Sequence, residues 1–293
     1  MNAPALAVFC LYGINGMVAA ESYPNSKLLI ESPELAQAKA PFPRLIILDV
    51  RDPKKYKAEH INEARSVDPA VWAKAFKDST EIGSWTKLIR ELGIDANSTV
   101  VLYDDSNCKD AARIWWILRY WGIDDARLLN GGWQGWNAAG LPTASGDSKP
   151  GTPSQITLSP RSERLATLAE VLRSLDAKAQ IVDARSEGEF CGTEKTAKRN
   201  GTIPGARHLE WSDLIDAKTH RFKDAAELRK LFQEARIDLD RPTTTYCQSG
   251  GRASVMAFAL ELMGAKDVRN YYASWAEWGN ADDTPIEPGK PKP

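Results

Sequence analysis

The chain has 293 residues, of which 43% are hydrophobic and 26% charged, with a formal net charge of −1. That length fits two domains, each able to bury its own core, and the ordinary composition excludes disorder, collagen-like repeats and coiled coils. With 38 basic residues against 39 acidic ones, there is no electrostatic footprint for nucleic acid or an anionic membrane.

Residues 1–20, MNAPALAVFCLYGINGMVAA, contain no Lys or Arg and end in Val18-Ala19-Ala20. They read as a signal peptide with its apolar region and small-residue cleavage site but without a basic start, which would make the protein periplasmic or secreted. The alternative is an N-terminal extension of a cytoplasmic protein. The segment is too short and interrupted to span a bilayer.

From there, short apolar and β-branched runs alternate with longer periodic ones. The runs at 45–50, 99–103 and 126–130 predict strands, and SWTKLIRELG (84–93) a helix. A stretch rich in Pro, Gly and Ser follows, and 145–160 is read as the linker. Strands are then expected at 180–184, 243–246 and 268–272, with a helix in DAAELRKLFQEA (224–235) that opens on Asp224 and Glu227 at capping-box spacing. Strands alternating with helices need crossover connections. The fold class is therefore α/β, with two tandem domains (26–144 and 161–293), each a small parallel sheet flanked by helices on both faces.

The two halves repeat each other. LIILDVRDPKKY (45–56) matches AQIVDARSEGEF (179–190), placing Asp49-x-Arg51 against Asp183-x-Arg185. ELGIDANSTVVLYD (91–104) lies against EARIDLDRPTTTYC (234–247), and GGWQGW (131–136) against ASWAEW (273–278). The extra residues of the second copy fall between Arg185 and Ile203, in a polar surface loop.

Four cysteines, Cys10, Cys108, Cys191 and Cys247, and the dispersed His60, His208 and His220 have no zinc-like spacing, so no metal is expected. The sequence leaves a Cys108–Cys191 disulfide open. Cys247 stands out because it ends a strand and is followed by Gln248, Ser249, Gly250, Gly251 and Arg252 before an apolar helix. In an open parallel sheet, ligands bind beyond the carboxyl ends of the strands. The glycines let the loop curl until several amides face one point, and the helix N-terminus and Arg252 add positive charge, which suits a thiolate at Cys247. Cysteine phosphatases place one residue more between Cys and Arg, so this smaller ring suits a single sulfur carried on the cysteine. A cysteine protease would need a histidine partner, for which His208 alone is available, and would have no use for the cradle.

With the loop Cys247–Arg252, the Asp183-Ala-Arg185 segment, GTIPGARHLEW (201–211), GGWQGW and SWAEWGN, the chain resembles the two-domain rhodaneses, the thiosulfate and 3-mercaptopyruvate sulfurtransferases. The resemblance runs from about Ser26 to Glu287. It implies two rhodanese-like domains with a five-stranded parallel sheet in each, the active site lying in the second and facing the first. Cys247 would be the sulfur-accepting nucleophile, with Gln248, Ser249, Gly250, Gly251 and Arg252 as its cradle. Arg185 would bind the anionic end of the donor, and Asp183 would organise hydrogen bonds nearby. Trp275 and Trp278 are read as core residues.

The first copy departs where the chemistry would be, since Asp104 aligns with Cys247 in a loop one residue longer. A carboxylate cannot accept sulfane sulfur, so this half is expected to be catalytically inactive. Thr202 stands where the family has His, and Ala273 where it has Gly. The expected activity moves sulfur from thiosulfate through a Cys247 persulfide to cyanide or a thiol, with no cofactor. Ser249 and Gly250 match the mercaptopyruvate enzymes, whereas Gln248 and Arg252 favour the more highly charged thiosulfate. Mercaptopyruvate transfer and a non-catalytic binding module are the alternatives.

Overall fold

The computed structural model describes residues 22–38, 42, 44–147, 152–177 and 179–291, so the candidate signal segment lies outside the described residues. The first domain runs β1 (Leu29–Ile30), α1 (Ser32–Ala36), β2 (Leu45–Asp49), α2 (Pro53–Ala58), β3 (His60–Ile61), β4 (Arg65–Ser66), α3 (Pro69–Asp78) and α4 (Ile82–Glu91). It continues with β5 (Thr99–Tyr103), α5 (Lys109–Tyr120), β6 (Ala126–Leu129), α6 (Gly132–Ala138) and β7 (Thr143–Ala144). The second runs α7 (Leu168–Asp176), β8 (Gln180–Asp183), α8 (Glu187–Cys191), β9 (Arg207–His208), α9 (Ala225–Glu234), β10 (Thr243–Tyr246), α10 (Gly251–Leu262), β11 (Val268–Asn270) and α11 (Ser274–Trp278).

In the first domain the strand order is β1-β6-β5-β2-β4, every pair parallel. Side chains alternate across the pleat. Ile46, Leu48, Val100 and Leu102 accordingly enter one core while Ile47, Val101 and Tyr103 enter another, so both faces of the sheet are buried. The second sheet, β11-β10-β8-β9, is parallel with four strands. The fifth strand implied by the family resemblance shrinks to a single parallel bridge from Leu165 to Asn270, because a 3-10 turn at Ser162–Arg164 precedes it and α7 follows closely. The N-terminus of α9 lies where it was expected, with Asp224 accepting from the Glu227 amide.

One core runs through both domains. The equivalent helices α5 and α10 pack on each other, and Trp115 meets Phe258 edge-on at 4.9 Å. The segment entering the second domain is not free chain, since Ile156 and Leu158 are buried and Arg161 N–H donates to Tyr120 O. No helix among the described residues is long and apolar enough to cross a membrane.

Candidate active site

Each domain ties together the ends of two neighbouring strands, β2 and β5 in the first and β8 and β10 in the second, with the same knot. Arg185 donates from Nε and Nη2 to the Asp183 carboxylate, Nη2 also reaches Gly201 O at 2.7 Å, and the guanidinium lies 4.3 Å above the Trp275 ring. In the first domain Arg51 binds Asp49 and Glu59 O in the same way, 3.9 Å above Trp133. Tyr246 and Tyr103 each donate a hydroxyl to the respective Asp at 2.5 Å. Burial and then Asp183 push the Tyr246 phenol well above its ordinary range, so it remains a donor.

Arg185, expected to bind the donor, lies behind the loop and does not line the cleft. Its side chain is 1% exposed and its charge is matched by Asp183, and the first domain keeps the same pair where no nucleophile stands. Asp183 does organise hydrogen bonds, taking Arg185, Tyr246 and Thr202. Through Tyr246 this network fixes the strand end that carries Cys247.

The cradle can be derived from its carbonyls. Cys247 O accepts from Trp275 N, Gln248 O from Ala276 N, Ser249 O from Arg113 Nη1, and Gly250 O from Ser254 N and Asn270 Nδ2. In a planar trans peptide the following N–H points opposite to the carbonyl. Four successive anchored carbonyls therefore turn the amides of Gln248, Ser249, Gly250 and Gly251 away from those anchors. Among the described residues, no acceptor takes the amides of Gln248 through Arg252, while the Cys247 amide itself donates to Ser274 Oγ.

Gly250 is required by its backbone angle and its contact, and Gly251 makes room for the end of a side chain. Gly250 has φ +85, and a Cβ there would lie 2.6 Å from the Tyr272 ring; a Cβ on Gly251 would lie 2.4 Å from Arg113 Nη2. These neighbours close over the loop, leaving Cys247 1% exposed. A cleft of about 650 Å³ adjoins it, lined by Arg113, Ser249 and Tyr272 on the loop side and by Lys74 and Lys77 of α3 opposite.

Arg252 does not point its whole charge at the loop. Its guanidinium grips Glu189 of α8 with two nitrogens, one at 2.8 Å. Burial works to lower the Arg252 pKa, yet Glu189 and Cys247 carry it upward. Gln248 is half-buried and donates from Nε2 to Thr196 O, and its Oε1 is buried without a partner.

The first domain shows what this loop does when it is filled. The Asp104 carboxylate accepts the amides of Ser106, Cys108, Asp110 and Ala111 at 2.8–3.1 Å, and the Ser106 hydroxyl at 3.0 Å. At the position equivalent to Cys247, the chain has placed its own carboxyl group inside a ring of amides, which works against the burial that pushes its pKa up.

Two duplicated α/β domains with equivalent knots and one open cradle agree with the comparisons. The description "Rhodanese-like domain" matches residues 32–139 and again 167–281. The chain belongs to the rhodanese family. A putative thiosulfate sulfurtransferase of Haloferax volcanii is 35% identical over 268 residues, covering 86% of this chain and 91% of the relative. The sulfur carrier protein TtuD of Thermus thermophilus is 33% identical over 286 residues, covering 92% and 99%. The crystal structure of YnjE shares the fold with a TM-score of 0.82 at 24% identity, covering 92% of this chain and 70% of that one. Relatives at about one-third identity support a sulfurtransferase, an enzyme that takes a sulfur donor and an acceptor.

Within this rhodanese the sequence-derived loop residues Cys247 to Arg252 come together, while Arg185 and Asp183 stand behind them. Trp275 and Trp278 are buried core residues as expected. Cys108 and Cys191 are free, so they form no disulfide: Cys108 is buried on the first-domain loop and Cys191 closes α8. Thr202 substitutes in the knot, its hydroxyl 2.6 Å from that of Tyr246, where the first domain keeps His60. His208 stacks on Phe190 and bonds Arg185 O, away from any nucleophile role. Among the described residues, no group of three or more His, Cys, Asp or Glu side chains is placed to hold a metal. Sequence reading missed Arg113, Glu189 and Tyr272. Glu189 was signalled by its place in the Ser186 capping box, but Arg113 sits in the other domain and nothing local linked it to the loop.

Proposed function

We propose that this rhodanese moves the sulfane sulfur of thiosulfate through a persulfide on Cys247 to cyanide or a thiol acceptor. The observation that carries this reading is the contrast between the two loops: one holds a carboxylate on four amides, while its counterpart offers free amides beside a cysteine. A ring built to hold a buried negative charge suits a persulfide anion in the same way.

The Cys247 thiolate attacks the outer sulfur of thiosulfate, a new S–S bond forms, and the original S–S bond breaks with its electron pair leaving on sulfite. An acceptor nucleophile then attacks the outer persulfide sulfur, and the Cys247 thiolate is released. Cys247 is almost fully covered, and the cleft bordered by Ser249 of its loop is the side from which donor and acceptor would approach. The cleft carries Lys74, Lys77 and Arg113 against Asp78 and Glu277, with Lys74 paired to Asp78, so Lys77 and Arg113 are the cations left to attract a dianion.

Intact-protein mass after thiosulfate treatment tests the reading. A gain of one sulfur atom, removed by cyanide and absent in Cys247→Ser, is expected; no gain would leave a non-catalytic binding module. Faster steady-state turnover with 3-mercaptopyruvate than with thiosulfate would replace the donor and keep the persulfide.

A further inference from the structure

Of the four carbonyl anchors that turn the cradle amides, those on Cys247, Gln248 and Gly250 come from the second domain itself. The remaining one, on Ser249, is Arg113 of the first domain, whose Nη1 also meets the Tyr272 hydroxyl at 3.0 Å. By peptide planarity, the Arg113 bond to Ser249 O sets the direction of the Gly250 amide. The position equivalent to Arg113 on α10 is Val255, fully buried. The cation thus appears on one copy only, and it is the copy whose own loop is already filled by Asp104.

Electrostatics gives the same direction. Arg185 is neutralised by Asp183, and Arg252 by Glu189. Among the described residues Arg113 has no carboxylate within ion-pair distance, and its hydrogen bonds go to a neutral carbonyl and a phenol. The charged and titratable groups around it are Asp110 on α5, Arg252 on α10 with Glu189 of α8 behind it, Tyr272 after β11, and Lys74, Lys77, Asp78 and Glu277 on the cleft walls.

We infer that Arg113 is a positioning residue supplied across the domain interface: it holds the Ser249 carbonyl so that the Gly250 amide faces the sulfur anion, and it contributes the uncompensated positive charge of the site. The first domain therefore completes the cradle of the second, which gives the inactive copy a catalytic duty. This inference rests on the reading of Cys247 as the nucleophile.

The test combines single-turnover sulfur loading from thiosulfate with the pH profile of Cys247 alkylation by iodoacetamide, in the full chain. Arg113→Ala is expected to slow loading by about tenfold to a hundredfold, less than the roughly hundredfold to thousandfold of deleting a preorganised anion donor outright, because the Gly250 amide itself remains. It should also move the pH profile of alkylation upward, because a cation beside the sulfur is lost. Arg113→Lys keeps the charge but loses the fork, and should load at an intermediate rate with a smaller pH displacement. A merely structural role leaves the alkylation profile of a folded variant unmoved, and that result overturns the inference. If Arg113→Ala does not fold, Arg113→Lys decides: slower loading supports it, and wild-type loading with a wild-type profile overturns it. Failure of the wild type to gain sulfur would sink the persulfide reading instead, since alkylation still reports what Arg113 does to Cys247.

Discussion

The loops at residues 104–110 and 247–252 are two uses of one piece of backbone. In the first, the Asp104 carboxyl takes the loop amides for itself, although burial pushes its pKa up; in the second, Cys247 leaves the amides free. The sign reverses again later in each loop, where Asp110 stands opposite Arg252 in the alignment. The cradle is a property of the strand-loop-helix geometry, and the side chain that opens it, Asp104 or Cys247, sets whether its amides are taken or free.

Cys247→Asp breaks that comparison most severely. Turnover and sulfur gain should fall by at least about a thousandfold, since no nucleophile remains. The thermal midpoint should hold or rise, because the new carboxylate takes up amides now left unpaired. A folded variant that is strongly destabilised would mean that the second loop does not accept an anion as the first does.

The knots behind the loops are next in size. Asp49→Asn and Asp183→Asn each leave a buried guanidinium without its carboxylate, and denaturant unfolding should show losses of roughly 3–5 kcal/mol in each case. Equal losses, with turnover per folded molecule retained in Asp49→Asn, place both knots in the scaffold. Asp183→Asn with wild-type stability and no turnover would return Arg185 to the donor. Asp104→Ala should cost less, about 2–4 kcal/mol, because its orphaned amides regain water if the loop loosens.

Much of this was legible in the chain. The β-branched runs placed the main strands to within two residues: those of the first domain are nearly apolar throughout because both faces are buried, and β10 was found by its run of Thr. The cysteine loop was legible because its spacing is local. The placing of Arg185 was not legible: an arginine two residues after an aspartate at a strand end can face a ligand or fold back on that aspartate, and the packing of Trp275 and Gly201 folds it back here. Arg113 was invisible since its partners, Ser249 and Tyr272, lie more than a hundred residues away.

The smallest effect concerns Glu189, which separates the two loops by masking a charge that the first domain lacks. Burial alone would raise the Glu189 pKa, but Arg252 and the Ser186 amide more than offset this and hold it below the ordinary range. A carboxylate with a depressed folded-state pKa contributes stability that is complete above its unfolded value of about 4.3 and is lost as pH falls through the lower folded value. Glu189→Gln should therefore be about 1–2 kcal/mol less stable than wild type at neutral pH, the gap closing in acid below about pH 4. The same substitution frees Arg252 to act on the loop, so the KM for thiosulfate should fall by about threefold. A stability gap that persists unchanged in acid would show that Glu189 acts through packing, and an unchanged KM would show that Arg252 does not reach the donor even when released.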